Sequence, residues 1–331
     1  MATPWPFVSI VVPLYDEEDV VPLLVPELQN VLDALPRSGE VIFVNDGSRD
    51  RTLALLGEHS ESDPRLRIID LSRNFGHAAA IAAGLDFADG DAVVVMDGDL
   101  QDPPGLILEM VRLHREGYDV VHARRRQRDS DSWFKRWTAR LYYLLLRAMT
   151  RTDVPANVAD FRLMSREVVL AMRSLREHHR LTRALVAWVG FRQTVIEFDR
   201  PRRAAGGTKY PLHRMLSLAW DGVTSFSYVP LRLVSGLGLL TLLFGVGYAI
   251  RAAYYGWYLG LGVPGWTSIV ILLVLLCSAI LLGLGVLGEY VGRIYDEVKR
   301  RPLYFVKGEI GARAVGAPTR VDGRARPEPP D

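Results

Sequence analysis

A short apolar run ends in three closely spaced side chains that carry oxygen. Residues 93–96 are Val-Val-Val-Met, and Asp97, Asp99 and Gln101 follow at alternate positions. Alternate residues of extended backbone point to the same side, so we expect these side chains to converge. Hard oxygen donors suit Mg²⁺ or Mn²⁺, which commonly binds one or two carboxylates together with substrate phosphates. The run predicts a metal site for a nucleotide diphosphate, with a polar turn after a strand as the simpler alternative.

The N-terminal half alternates between strand and helix patterns. The predicted strands are 8–12, 40–44, 66–70, 92–96 and 120–123, and the predicted helices are 17–35, 50–59, 76–88 and 104–116. Such alternation indicates a mainly parallel, doubly wound α/β sheet, which binds ligands at the carboxyl ends of its strands. The polar residues that follow those ends are Tyr15, Asp16, Asp46, Asn74, Asp97 and Asp99. Their convergence favours the metal–nucleotide interpretation over the simple turn.

Charge is unevenly distributed along the 331 residues, although the formal net charge is only +2. Between Leu233 and Gly288 the one charged residue is Arg251. Because a membrane-spanning helix needs roughly 20 apolar residues, we expect two transmembrane helices, at about 231–254 and 266–288. The alternative is a buried helical hairpin of a soluble core, but soluble helices usually carry a polar face.

Lys and Arg flank the predicted spans, whereas the connecting turn 256–265 has neither. Cytoplasmic flanks are rich in these residues, so both termini and the soluble domain are expected on the cytoplasmic side of the inner (plasma) membrane. The predicted organisation is a soluble domain over 1–205, interfacial amphipathic helices over 206–230, the spans within 231–288, and a cytoplasmic segment over 289–331. We expect the tail after Lys307 to be disordered.

A basic and aromatic region follows the fifth predicted strand, within residues 124–151. A solvated helix is the ordinary explanation of such a charge run, and a site for anionic lipid is the alternative beside a membrane anchor. The same anchor argues against a nucleic-acid partner. No GxSxG or Walker lysine loop is present, and the GxGxxG pattern at 283–288 follows no strand, so it predicts helix packing.

Several spaced motifs resemble glycosyltransferase family 2, in its membrane-anchored polyprenyl-phosphate branch of bactoprenol glucosyltransferases and dolichol-phosphate mannose synthases. The matching segments are 11–18, 44–48, 73–76, 96–104, 160–164, 207–210 and 288–295. The resemblance implies a GT-A-like (Rossmann-like) sheet with helices on both faces, followed by a two-helix transmembrane hairpin. It also implies inverting, metal-dependent transfer of one hexose from a nucleotide sugar to polyprenyl phosphate.

The resemblance also implies roles for individual residues. The base and ribose would be held by Pro13, Tyr15, Glu17 and Asp46, with Asp97 also contacting the nucleotide sugar. The metal ligands would be Asp97, Asp99 and Gln101, with Mg²⁺ or Mn²⁺ as cofactor. The acceptor phosphate would be bound by Arg124, Arg140 and Lys209. The catalytic residues would be Asp97, Asp99, Asp160 and Arg162.

The role of Asp160 and the residue at position 45 need separate comment. A lipid phosphate is already ionised near pH 7, so Asp160 is expected to orient the sugar or acceptor rather than to remove a proton. Asn45 stands where the family commonly has Asp, which would remove one negative charge beside the base pocket.

The donor and the assembly state stay open. UDP-glucose is favoured because 160–164 resembles the glucosyl branch, with mannose, GlcNAc or an aminoarabinose derivative as alternatives. A processive polysaccharide synthase is a further alternative, but it would carry a Gln-x-x-Arg-Trp motif and more membrane helices, and this sequence shows neither. A non-catalytic scaffold or flippase partner is the remaining alternative, although Asp97, Asp99 and Gln101 are intact. Glycine-rich spans favour a homo-oligomer.

Overall fold

The computed structural model describes residues 4–126, 158–178, 180–198, 229–258 and 265–311. These residues form two compact units. The first contains the described residues up to 198 together with 302–311, and the second contains 229–258 and 265–301. Arg140, Lys209, the tail 312–331 and most of the basic region and of the predicted interfacial helices lie outside the described residues.

The first unit is built on a sheet of eight described strands. In chain order these are β1 (Val8–Leu14), β2 (Gly39–Asn45), β3 (Leu66–Leu71), β4 (Ala92–Val95), β5 (Val120–Arg125), β6 (Val158–Ser165), β7 (Gln193–Phe198) and β8 (Val306–Ile310). Across the sheet the order is β7-β5-β6-β4-β1-β2-β3-β8, in which β6 and β8 run antiparallel to their neighbours. The predicted mainly parallel α/β sheet is confirmed.

Six described helices accompany this sheet. They are α1 (Val21–Ala34), α2 (Thr52–Ser62), α3 (His77–Phe87), α4 (Leu106–Arg115), α5 (Arg166–Ser174) and α6 (Thr182–Trp188). On one face α1 contacts α2 and α4, and on the other α3 contacts α5. Because both faces are covered, β1, β2 and β3 are buried along their whole length and consist mostly of apolar residues.

One glycine allows α3 to pack directly on the sheet. A Cβ atom built on Gly84 would lie 2.1 Å from Cγ1 of Val11 and 3.1 Å from Cγ2 of Val44. Any larger residue at 84 would push α3 away from β1 and β2. The N-terminus of α3 is thereby fixed near the carboxyl ends of these strands.

The C-terminal strand β8 contradicts, for residues 308–310, the prediction of a tail that is disordered after Lys307. Residues 308–310 pair with β3, and the main-chain N–H of Ser72 donates to the carbonyl oxygen of Phe305 at 2.9 Å. The buried guanidinium of Arg67 bonds Glu40 at 2.8 Å and Glu309 of β8 at 2.9 Å. Pairing and charge together hold this segment as an edge strand.

The second unit contains two long helices that contact each other, α7 (Val229–Tyr258) and α8 (Trp266–Val298). Among the described residues, one segment, Leu276–Val298, is long and apolar enough to cross a membrane, while α7 holds a shorter apolar stretch, Gly236–Tyr248. The helices cover the expected ranges, but the pair of membrane spans is unconfirmed. The GxGxxG pattern lies inside α8, as predicted.

Candidate active site

The carboxyl ends of the central strands bring the predicted polar residues to one edge of the sheet. Leu14 of β1 is level with Asn45 of β2, and Asp46 follows directly. The antiparallel register that pairs Val95 with Arg162 brings the start of β6, with Asp160, beside Asp97. This edge of the sheet therefore gathers acidic side chains from segments that are distant in sequence.

Asp97, Asp99 and Gln101 lie in a turn rather than in extended backbone. β4 ends at Val95, and Leu100 has a left-handed φ of 56°. The turn is closed by Asp99, whose Oδ1 accepts from the main-chain N–H of Gln101 at 3.1 Å. The backbone bends at residues 98–100, so these three residues do not lie in the extended backbone on which the strand-alternation argument depends.

The two carboxylates and the amide differ in exposure. Asp97 and Asp99 are half-buried, whereas Gln101 is only 2% exposed. Within the described part of the chain, Nε2 of Gln101 has no hydrogen-bond partner. Among those same residues no group of three or more His, Cys, Asp or Glu side chains could hold a metal ion. Any cation bound by these two carboxylates would need oxygen atoms from Gln101 or from a ligand.

His77 links the turn to Asp160. Its Nε2 lies 3.4 Å from Oδ1 of Asp97 and 3.7 Å from Oδ2 of Asp160. Interaction with Asp160, together with the charge of Asp97, raises the pKa of His77 despite partial burial. His77 is the first residue of α3, so the close packing of that helix on the sheet determines where the imidazole lies.

Asp160 is surrounded by cationic groups. Its Oδ1 accepts from Nη2 of Arg162 at 2.6 Å, and Arg183 of α6 donates to both carboxylate oxygens. Burial alone would raise the pKa of Asp160, but His77 and the two arginines outweigh it and hold that pKa well below its ordinary value. Asp160 is therefore a permanently ionised group at neutral pH and a poor proton acceptor.

The loop after β1 is tied to the loop after β2. Asp16, at φ 51°, donates from its main-chain N–H to Oγ of Ser48 at 3.0 Å, and its Oδ1 accepts from the N–H of Arg49 at 2.7 Å. The main-chain N–H of Glu17 donates to Oγ1 of Thr52 at 2.9 Å. Asp tolerates the left-handed conformation better than most residues do. The two loops that would hold a nucleoside are thereby fixed to each other.

The remaining residues predicted to bind the nucleotide differ in accessibility. Pro13 is buried in β1, while Tyr15 is 40% exposed. Asp46 is 3% exposed, and its two carboxylate oxygens accept from the main-chain N–H groups of Phe75 and Gly76 at 2.7 and 2.9 Å. Burial raises the pKa of Asp46, although these bonds oppose it. Asp46 thus organises the loop that leads into α3.

Arg124 lies at the end of β5 and forms an ion pair with Glu197 of β7. Arg126 also approaches Glu197, at 3.6 Å. The two guanidiniums and the carboxylate are partly exposed at this edge. The hydrogen bond from Arg124, together with its charge, lowers the pKa of Glu197. Of the three residues predicted to bind the acceptor phosphate, Arg124 is the one that lies among the described residues.

Comparison with known proteins decides the family. The Glycosyl transferase family 2 model matches residues 9–172. The uncharacterized glycosyltransferase YkcC of Bacillus subtilis (strain 168) is 49% identical over 303 residues, covering 92% of this chain and 94% of that protein. The chain belongs to glycosyltransferase family 2.

Further relatives span nearly the whole chain. The SfII prophage-derived bactoprenol glucosyl transferase of Shigella flexneri is 38% identical over 304 residues, covering 91% of this chain and 97% of that protein. The solved mannosyltransferase PcManGT of Pyrobaculum calidifontis, in complex with GDP-Man and Mn²⁺, is 18% identical with a TM-score of 0.43, covering 85% and 88% of the two chains.

Three residues of this family 2 glycosyltransferase escaped sequence reasoning. His77 directly follows the motif at 73–76 and could have been included with it. No local sequence pattern marks Arg183 or Glu197 as site residues. Their contacts with Asp160 and Arg124 form only in the folded protein, where β7 pairs with β5 and α6 lies near β6.

Proposed function

We propose that this family 2 glycosyltransferase transfers a single hexose, with UDP-glucose as the favoured donor, to polyprenyl phosphate. The observation that carries the proposal is the full-length similarity to proteins named bactoprenol glucosyl transferase, at 36–38% identity. The products would be a polyprenyl-phosphate sugar and a nucleoside diphosphate. Transfer of mannose, GlcNAc or an aminoarabinose derivative to the same lipid is the second candidate.

The residues after β4 fit a divalent cation by the chemistry of their donors. Asp97, Asp99 and Gln101 offer two carboxylates and one amide oxygen, all of them hard oxygen donors. This set suits Mg²⁺ or Mn²⁺, with phosphate oxygens of the nucleotide sugar as further ligands. When bound there, the cation would neutralise charge on the departing diphosphate.

The proposed reaction is a single displacement. An oxygen of the lipid phosphate forms a bond with the anomeric carbon while the bond from that carbon to the nucleotide diphosphate breaks, and the configuration inverts. Arg124 would orient the acceptor phosphate, together with Arg140 and Lys209. Fixed positive charge of this kind contributes several kcal/mol in known active sites.

Asp160 acts in this scheme without taking a proton. Its carboxylate accepts from Arg162 and Arg183, and its pKa lies far below neutrality. An ionised lipid phosphate is a nucleophile that needs no general base, so the chemistry and the site agree. We assign to Asp160 and Arg162 the orientation of groups at the sugar and acceptor side.

We further propose that α7 and α8 both cross the inner (plasma) membrane, with the catalytic unit and both termini in the cytoplasm. Large apolar side chains are well exposed along both helices, as with Phe244 at 65% and Leu281 at 68%. Apolar surface of that extent normally contacts lipid or another protein. The anchor would keep the enzyme where its insoluble acceptor resides, and the glycine-rich helices would support a homo-oligomer.

A donor panel tests the proposed function. The full-length protein in detergent would receive UDP- and GDP-sugars, polyprenyl phosphate and Mn²⁺, with radiolabelled lipid product as the readout. We expect label in the lipid fraction from UDP-glucose, with stoichiometric UDP release. Label from another sugar alone would support the second candidate. Absence of lipid product with every donor would contradict the proposal and favour a scaffold role.

A further inference from the structure

Asp160 has two guanidinium partners that differ in exposure. Arg162 donates from Nη2 to Oδ1 of Asp160 at 2.6 Å and from Nε to the main-chain carbonyl oxygen of Asp160 at 3.2 Å. The side chain of Arg162 is 1% exposed. Arg183 donates to Oδ1 from Nε at 3.3 Å and to Oδ2 from Nη2 at 3.1 Å, and its side chain is 45% exposed. One arginine is inside the protein and the other is at its surface.

The exposure difference separates the roles of the two arginines. A fully buried guanidinium requires a carboxylate partner, because an uncompensated buried charge is strongly destabilising. The carboxylate of Asp160 therefore compensates the buried charge of Arg162. The pair between Asp160 and the half-exposed Arg183 contributes much less to stability, since water screens it. Its bidentate geometry instead fixes the orientation of the Arg183 guanidinium.

The position of this guanidinium indicates what it binds. Asp160 and Asp97 both lie within 4 Å of Nε2 of His77, so Arg183, which is bonded to Asp160, lies at the same edge of the sheet as the predicted metal motif. A planar guanidinium held in a fixed orientation matches the oxygen geometry of phosphate. Phosphate is the group that the proposed donor and the proposed acceptor have in common.

We propose that Arg183 binds a phosphate group of the substrates and that Asp160 is the positioning residue that orients its guanidinium. The inference rests on the proposed function, because that function brings phosphates to this edge. The phosphate belongs either to the nucleotide diphosphate or to the lipid acceptor. The role of Asp160 thereby becomes specific: it aligns a cation and does not contact the reacting carbon.

Two constants measured on the full-length protein distinguish the sources. The first is the Kd of UDP in the presence of Mn²⁺ by calorimetry, and the second is the KM for polyprenyl phosphate at saturating donor. We expect Arg183→Gln to weaken one of them at least about tenfold, as for a lost charged hydrogen bond. Arg183→Lys should recover only part of the loss, because lysine lacks the planar fork.

A matched control removes an ion pair of similar exposure elsewhere. Arg37 pairs with Asp91 at 2.8 Å and is 44% exposed, at the opposite edge of the sheet. Arg37→Gln should change both constants by less than about twofold, in line with the small worth of surface pairs. Asp160→Asn, assayed below its unfolding temperature, should weaken the same constant as Arg183→Gln.

The inference is overturned if Arg183→Gln and Arg183→Lys leave both constants unchanged, whatever happens to the melting temperature. It is also overturned if Asp160→Asn changes the constant that Arg183→Gln does not. The UDP measurement requires no transfer to lipid. A wild-type protein that binds UDP through Arg183 but glycosylates no polyprenyl phosphate would contradict the proposed function and leave this inference standing.

Discussion

Asn45 donates a hydrogen bond of 2.7 Å from Nδ2 to Oδ1 of Asp70, across the ends of β2 and β3. Asn45 is 1% exposed and Asp70 is 7% exposed, so the bond lies in the protein interior. Oδ1 of Asn45 also accepts from the main-chain N–H of Ser48 at 3.3 Å. The asparagine that departs from the family pattern at this position therefore donates a hydrogen bond to the buried carboxylate of Asp70.

Replacing Asn45 with Asp should destabilise the protein by about 1–3 kcal/mol at pH 7, because the hydrogen bond to Asp70 would be replaced by a second carboxylate facing it. The loss should shrink as the pH is lowered, since one of the two carboxylates can take up a proton. Thermal unfolding at pH 7 and pH 4.5 measures both effects. Asn30→Asp on the exposed side of α1 is the control, and equal melting temperatures for the two variants would contradict the prediction.

Replacing Asp99 with Asn should abolish metal-dependent transfer and leave the fold intact. The asparagine keeps an Oδ1 that can accept from the N–H of Gln101, so the turn is preserved. It lacks the negative charge that a divalent cation requires, and we expect kcat to fall by about 10²–10³. UDP release with and without Mn²⁺ provides the measurement. Full activity of this variant would refute the metal assignment.

Replacing Arg124 with Ala should weaken use of the acceptor more than binding of the nucleotide. We expect the KM for polyprenyl phosphate to rise on the order of tenfold, while the Kd of UDP stays near the wild-type value. Arg112→Ala removes another exposed arginine that pairs with glutamates, on α4, and should change neither constant. Equal losses in both constants would argue against the role of Arg124.

The buried side chain of His122 should make the stability of the folded protein decrease as the pH falls. Burial, assisted by the charge of Arg162, lowers the pKa of His122 from 6.5 to about 4. As the pH falls below 6.5 the unfolded chain binds a proton that the folded protein excludes, so stability decreases until about pH 4, by on the order of 3 kcal/mol. His122→Gln should lose less stability between pH 7 and pH 4.5 in denaturant titrations. Parallel losses in both proteins would contradict this.

Single-cysteine labelling tests the two membrane spans. Cys277 is the one native cysteine and can be replaced by Ser. In that background, Tyr258→Cys at the end of α7 should react with an impermeant maleimide in intact cells, and Lys299→Cys after α8 should react only after permeabilisation. Labelling of both positions in intact cells would contradict the proposed topology.

The sequence predicted the fold well wherever the signal was local. β1 to β5 are rich in apolar and β-branched residues, and their bounds lie close to those expected. β8 could not be predicted in the same way, because its stability depends on β3 and on Arg67, far earlier in the chain. His77 and Asp160 are likewise far apart in the sequence, and they lie close together only in the folded protein.

The site residues stay predictions, and the structure adds contacts that the motifs do not show. The motif at 96–104 predicts Asp97, Asp99 and Gln101 as metal ligands, and the left-handed Leu100 lies between the last two. Asp46 is predicted to hold the base and ribose, and both of its oxygens also accept main-chain N–H groups. Backbone amides of a neighbouring loop leave no trace in residue identity, so such bonds cannot be read from a motif.

The return of residues 302–311 to the sheet has a practical consequence for producing the catalytic unit. A fragment ended before α7 would lack Glu309, so it would leave the buried Arg67 with fewer carboxylates and leave β3 as an unprotected edge. Tyr304, which donates to Asp86 at 2.6 Å, would be lost with it. A soluble version of this enzyme should therefore join residue 205 to the 302–311 segment through a flexible linker, so that the helical hairpin is bypassed and the last strand is retained.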